Sequence, residues 1–222
     1  MSKIEVRYIN HMGDDLSVVN SARVSFGKNK EELEKEDIKL INYLAKHRHF
    51  TPFEHCTLSV LIKCPLFIRS QIHRHRTFSY NEISRRYTSE NLELYIPETF
   101  RKQHKSSKQC SDGEFSNLEN IDLATDMENF HENTLVYYND LLDMGVAREI
   151  ARGVLPQNLM TEFWMTGNLR NWIHFLGLRI DSHAQKEVQD VARPILKIIK
   201  EKFPDSARAL FQHQLSIDID EL

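Results

Sequence analysis

Apolar positions repeat along this chain at two periods. From Leu118 to Met144, residues Ile121, Ala124, Met127, Phe130, Thr134, Tyr138 and Leu141 step by three and four. That spacing predicts a long amphipathic helix closed by Gly145, with its tyrosines and methionines turned to the core. Between Cys56 and Cys64 the period falls to two, so that Leu58, Val60 and Ile62 share one face of a strand. The strand feeds Pro65, Leu66, Phe67, Ile68 and Ile72, whose spacing suits a short helix with Pro65 in its first turn.

The remaining elements follow from the same signals. Residues 3–9 predict a first strand, and Asp14 or Asp15 caps a helix carrying Leu16, Val19 and Ala22 toward Phe26. Leu33, Ile38, Ile41, Leu44 and Ala45 predict a helix over 30–46, and the Thr51-Pro52 pair then reads as a break. A short strand is expected near 94–96, followed by a polar, aperiodic stretch over 101–117 that reads as a mobile surface loop. Val146, Ile150 and Val154 form a helical row closed by Pro156, and residues 159–166 predict another strand. Asn168 opens a helix through Leu176. Ser182 and Gln185 make an S-x-x-Q capping box for a long helix carrying Ala184, Val188, Val191, Ile195 and Ile199, with Arg179 and His183 at its entrance. Helices outnumber strands and do not alternate with them, so the expected fold is α+β: a single domain over 1–222 with a small sheet and several long helices. No G-x-G-x-x-G stands in the chain, so any nucleotide cofactor binds without a Rossmann motif.

Composition narrows the function. A chain of 222 residues, 41% of them hydrophobic, supports a substantial core. Its net charge of -3 argues against a nucleic-acid partner, because duplex binders carry a basic domain and here positive charge is local. No apolar run has the length of a membrane span and the first residues lack a signal-peptide core, so a soluble, cytoplasmic protein with no membrane partner is expected. Cys56, Cys64 and Cys110 form no C-x-x-C pair, which supports neither a disulfide framework nor a cysteine zinc site.

The local positive charge lies between Gln71 and Tyr87, in QIHRHRTFSYNEISRRY. Guanidinium forks match phosphates and carboxylates through two parallel N–H donors, and serine, asparagine and glutamine add neutral donors. A solvated basic face is the bland alternative, but Phe78, Tyr80, Ile83 and Tyr87 interleave with the charges and Asn81 and Glu82 interrupt them. The cluster therefore reads as a nucleotide site. His47, His49 and His55 invite a metal-hydrolase reading, yet no Cys, Asp or Glu cluster stands beside them at ligand spacing, and no metal is expected. A non-catalytic nucleotide- or RNA-binding module, with Phe78, Tyr80 and Tyr87 as stacking groups, is the other alternative.

Arg74, His75 and Arg76, seven residues, and then Ser84 form the RHR-x7-S signature of the flavin-dependent thymidylate synthases. The segments HFTPFEH at His49–His55, EIARGVLP at Glu149–Pro156 and NLRNWIHFLGLRIDSHAQ at Asn168–Gln185 also resemble that family, in the same order, and the likeness spans roughly residues 12 to 203. The resemblance implies reductive methylation of dUMP to dTMP, with methylenetetrahydrofolate as carbon donor and NADPH as reductant through FAD. It also implies a homotetramer whose sites are shared between subunits.

By similarity, dUMP is bound by Gln71, Ile72, His73, Arg74, Glu82, Ile83, Ser84, Arg85, Arg86, Arg152 and Arg179. Arg179 is the implied catalytic residue, stabilising charge on the uracil carbonyls, and Ser84 is assigned to binding, since a nucleophilic serine needs a partnered base. FAD contacts implied by the resemblance are His49, Thr51, Glu54, Arg74, His75, Arg76, Asn81, Glu82, Asn168, Arg170, His174 and His183. Two positions depart from the pattern: Arg85 stands where relatives often carry a small residue, and His174 where asparagine is a familiar alternative.

Overall fold

The computed structural model describes residues 2–108 and 110–222. In chain order the strands and helices are β1 (Glu5–Met12), α1 (Asp15–Arg23), α2 (Lys35–Lys46), α3 (Thr51–Glu54), β2 (Thr57–Pro65), α4 (Leu66–Ile72) and β3 (Ser79–Glu82). There follow β4 (Arg101–Gln103), β5 (Ser111–Glu114), α5 (Asn117–Asp143), α6 (Arg148–Ala151), β6 (Met160–Asn168), α7 (Leu169–Arg179), α8 (Lys186–Lys202) and α9 (Pro204–Leu210). Four strands form a sheet in the order β1-β2-β6-β3, and β4 pairs with β5 in a separate antiparallel ribbon. This is an α+β fold, as the pattern of elements predicts. No helix among the described residues is long and apolar enough to cross a membrane.

Packing gathers the chain into two compact units. The first comprises Met1–Glu5, Lys63–Arg74 and Glu82–Phe163. Cys64 of β2, Ile68 and Ile72 of α4, Ile96, Tyr138 of α5, Ala151, Leu159, Met160 and Phe163 are its buried apolar side chains among the described residues. Chain direction is fixed here by Leu66 and Phe67, whose amides donate to the carbonyls of Leu159 and Gln157, and by Met160, whose amide donates to Glu93. Glu93 in turn accepts from Lys63 at 2.8 Å and from Ser2 at 2.9 Å.

The second unit comprises Val6–Ile62, His75–Asn81 and Trp164–Leu222. Amphipathic α8 buries Val188, Val191, Ala192, Ile195, Leu196 and Ile199. The helix continues through Pro194, an interior proline that costs roughly 3 kcal/mol, because this apolar stripe outweighs the lost hydrogen bond. Asp14 caps α1 in a reciprocal box with Ser17, and buried Asp15 accepts from the amides of Asp205 and Ser206 at the start of α9. Fully buried Trp172 of α7 donates its indole N–H to the carbonyl of Leu58 at 3.1 Å, fixing α7 against β2.

Several sequence expectations need correction. The stretch over 101–117 is the β4–β5 ribbon followed by the start of α5; its strands bury no face, which leaves no period to read. Helix α5 runs as expected, but only His131 and Tyr138 are buried along it, while Leu118, Ile121, Phe130, Val136 and Tyr137 are exposed. Ser182 caps nothing: Asp181 accepts the amide of His183 at 2.7 Å, and α8 begins only at Lys186, which leaves Arg179 in the last turn of α7. Thr51-Pro52 opens the short helix α3 rather than breaking the chain. Helix α2 starts five residues later than expected, and the strand near 94–96 shrinks to one bridge between Leu94 and Leu159.

Candidate active site

In the first unit, β3 delivers Glu82 and the chain then turns sharply, the carbonyl of Ser84 accepting from the amides of Tyr87 and Thr88 at 3.0 and 3.2 Å. This turn forms one wall of a pocket of about 310 Å³. Its polar lining is Arg69, Glu82, Ser84, Arg85, Arg152 and Thr161, and its apolar lining Leu66, Ile83, Leu155, Leu159 and Met160. Glu82 is held in place by two donors to the same carboxylate oxygen, Arg69 Nε at 3.1 Å and Thr161 Oγ1 at 2.7 Å. The Arg69–Glu82 pair is thereby neutral overall. Arg85 and Arg152 remain beside Ser84, and neither has a carboxylate within salt-bridge reach among the described residues.

Arg85 is the most constrained cation of the pocket. Its terminal nitrogens donate to the backbone carbonyls of Glu90 (2.6 Å) and Asn91 (3.2 Å), the latter residue in the left-handed region with φ 52°. Its Nε is buried and has no hydrogen-bond partner. A buried N–H left without an acceptor costs about 1–3 kcal/mol. Burial also pulls the guanidinium pKa of Arg85 below its ordinary value. Arg152, in a short 3-10 turn after α6, is tethered by Nε to the carbonyl of Glu149 at 3.4 Å. Arg86 faces Glu149 at 3.6 Å and Tyr87 through its guanidinium plane.

Other expected substrate residues lie elsewhere in this unit. Ile72 is fully buried and serves packing. His73 caps the end of α4, its ring edge-on to Phe163 at 5.0 Å, and burial with the nearby Arg69 charge lowers its pKa. Arg74 is exposed and Gln71 half-buried. Arg69 and Thr161 were not anticipated. Arg69 lies one turn before His73 on α4 and so points to the same side, a signal that helical spacing contains; Thr161 in β6 gives none.

The second unit builds a different cluster. His75 is 7% exposed, between the exposed Arg74 and Arg76. Its Nε2 accepts from Arg179 Nε at 3.0 Å, its ring meets Phe175 edge-on at 4.8 Å, and its carbonyl accepts from the Tyr80 hydroxyl at 2.8 Å. Burial, then the charge of Arg179, then His174 push the His75 pKa down to about 4. Phe78 wedges beside this histidine against Trp172, ring centres 4.6 Å apart.

The remaining expected cofactor residues are dispersed over this unit. Arg170 pairs with Glu54 at 2.6 Å and lies over the Phe50 ring at 4.5 Å, next to exposed Thr51. Asn168 caps α7 by accepting the amide of Asn171. His174 is exposed, 6.0 Å from the His75 ring, and Asn81 is exposed on β3. His49 packs near Tyr43 and His47, and His183 pairs with Asp181 at 3.0 Å. Among the described residues no group of three or more His, Cys, Asp or Glu is arranged to hold a metal ion.

Comparison with known proteins places these features in context. The model of a family described as "Thymidylate synthase complementing protein" matches residues 7–205. A flavin-dependent thymidylate synthase of Thermus thermophilus is 44% identical over 210 residues, covering 95% of this chain and 76% of that one. One from Thermosipho africanus is 43% identical over 217 residues, covering 96% and 93%. Among solved structures, a UMP/dUMP methylase, PolB from Streptomyces cacaoi bound with 5-Br dUMP, superposes with a TM-score of 0.86 at 32% identity, covering 98% of each chain.

Proposed function

The chain belongs to the thymidylate synthase complementing protein family, and from that premise we propose that it is a single-domain enzyme that methylates dUMP reductively to dTMP. One observation carries the reading: the pocket holding Ser84, Arg85 and Arg152, with positive charge beyond neutrality and a buried, unpartnered Arg85 Nε. A phosphate monoester has the charge and the acceptor oxygens that these donors lack. The apolar wall of Leu66, Leu155, Leu159 and Met160 gives the nucleoside a dry surface.

Arg179 takes the chemical role. Adding hydride to carbon 6 of uracil drives negative charge toward the ring carbonyls, and a planar guanidinium aimed at that edge stabilises it. Its fork brings parallel donors to oxygen 2 on that edge, as a lysine's point charge does not. Ser84 binds and does not attack: its hydroxyl oxygen accepts from the amide of Arg86 at 3.3 Å, and no described histidine or carboxylate is hydrogen-bonded to it as a base.

The donor set of the second unit fits a flavin dinucleotide. Arg76 presents its guanidinium to solvent for a pyrophosphate, Phe50 and Thr51 lie beside the Glu54-paired Arg170, and Asn168 and His174 offer neutral groups. We assign FAD to these residues with His49, Glu54, His75, Asn81 and His183. When bound, FAD supplies reducing equivalents from NADPH, while methylenetetrahydrofolate supplies the carbon.

A homotetramer with shared sites completes the proposal. Leu118, Ile121, Phe130, Val136 and Tyr137 stand exposed on α5, apolar surface that subunit contact would cover. Three cysteines without a disulfide suit the cytoplasm. The test is direct: purified protein is expected to be yellow, to elute at four times 26.2 kDa, and to form dTMP only with dUMP, methylenetetrahydrofolate and NADPH present. Protein loaded with FAD that makes no dTMP from this mixture overturns the assignment.

A further inference from the structure

We propose that His75 is the positioning residue of Arg179: as a hydrogen-bond acceptor it fixes the plane of the guanidinium that faces the pyrimidine. The inference rests on the assignment of Arg179 made above and deepens it. Arg179 Nε donates to His75 Nε2 at 3.0 Å. An arginine has only donors and keeps its proton, so the bond requires a bare Nε2 and a neutral imidazole with its proton on Nδ1. Tying Nε sets the guanidinium plane, and both terminal nitrogens then lie where that plane puts them.

The histidine is itself held by neighbouring rings and through its backbone. It is edge-on to Phe175 at 4.8 Å and near Phe78 at 6.5 Å, and the Tyr80 hydroxyl fixes the backbone carbonyl. Phe175 and Arg179 stand four residues apart on α7, so one helix face presents both to the same imidazole. The phenyl ring sets the tilt of the histidine and the histidine sets the fork. A core histidine satisfied by chance needs none of this agreement. The low pKa of His75 keeps the acceptor neutral throughout the working range.

A double-mutant cycle tests the assignment, with all proteins saturated with FAD and dTMP formation measured at saturating dUMP. His75→Phe keeps ring volume and removes the acceptor; it is expected to lower kcat roughly tenfold or more, the scale on which lost orientation acts. His75→Gln, whose Oε1 reaches the place of Nε2, is expected to recover most of that loss. In an Arg179→Ala background His75→Phe is expected to slow the reaction no further, because the group it positions is gone. If the rate effect of His75 at saturating FAD comes from its flavin contact or from general packing and not from Arg179, the two losses multiply and the inference falls. Unchanged kcat in His75→Phe overturns it equally. Should the Phe variant not fold, His75→Asn, one methylene too short to reach Arg179, takes its place in the cycle. A wild-type protein that makes no dTMP refutes the functional assignment instead, and ¹⁵N shifts of the His75 ring then decide the bond: a protonated Nε2 overturns it, a bare Nε2 supports it.

Discussion

Gly167 sets the packing on which the histidine cluster stands, and Gly167→Ala is its sharpest probe. The residue lies in β6 without a positive φ, so the substitution meets no backbone strain and acts through space alone. An added Cβ falls 2.4 Å from both Cδ1 and Cε1 of Phe78 and 3.3 Å from its Cγ. Carbon atoms are comfortable at about 3.5–4.0 Å, so the phenyl ring must retreat by roughly 1 Å toward Trp172, which is fully buried and already in contact. Overpacking of this kind costs about 1–3 kcal/mol. For a chain of this length each kcal/mol lowers Tm by about 2–4 °C, so calorimetry is expected to show a drop of roughly 2–12 °C. Gly153→Ala is the control, since its Cβ meets nothing within 4 Å, and such a change stays within about 0.5 kcal/mol. In a Phe78→Leu background the clash partner is smaller, and the cost of Gly167→Ala should fall by about half or more. An unchanged Tm in Gly167→Ala, or the same loss in both backgrounds, refutes the steric account.

Three further outcomes are expected. Arg179→Ala should slow dTMP formation by about 10² to 10³ while flavin reduction by NADPH proceeds at the wild-type rate, and Arg179→Lys should recover little; stopped-flow traces showing both half-reactions lost together with a lowered Tm would identify a structural arginine. Ser84→Ala should weaken dUMP binding by roughly 10-fold or more, the worth of a hydrogen bond to a charged group, yet retain turnover at saturating dUMP, whereas a serine-linked pyrimidine found by mass spectrometry would establish covalent attack. His75, with a folded pKa of about 4 against an ordinary 6.5, takes up its proton more readily in the unfolded chain, so its contribution is complete above about pH 6.5 and is lost as pH falls toward 4. That loss should reach about 2–3 kcal/mol at pH 4.5, and equal slopes of stability against pH in wild type and His75→Phe would refute it.

How much of this was readable in advance depends on which interaction sets each feature. Helix α5 could be found from its period, because an amphipathic stripe is written in one segment. Its burial could not, because a period marks a face that needs cover and is silent on what covers it. The Ser182–Gln185 motif misled for a local reason: Asp181 captures the His183 amide in a tight turn, an alternative partner that competes with helix initiation. The end of the chain carried an unused signal, since Pro204 opens α9 and Phe203, Ala207, Leu210 and Phe211 fall at helical spacing, all buried.

In the site, the motif reveals its members but not the division of labour among them. Counting arginines from Arg69 to Arg179 overstates the charge available to a phosphate, since Arg69 is matched by Glu82, Arg86 by Glu149 and Arg170 by Glu54. Those pairings join positions 13, 63 and 116 residues apart in the chain. The same holds within RHR itself, where burial separates three adjacent residues into two exposed cations and one neutral acceptor. Arg85 departs furthest from expectation: its large side chain folds back onto the carbonyls of Glu90 and Asn91 and leaves one buried N–H. A guanidinium already anchored at two points loses little further entropy when a guest arrives. The anchoring of Arg85 therefore sets its guanidinium beside Ser84 and Arg152 before any guest arrives, a placement that comes from two backbone carbonyls and not from the motif.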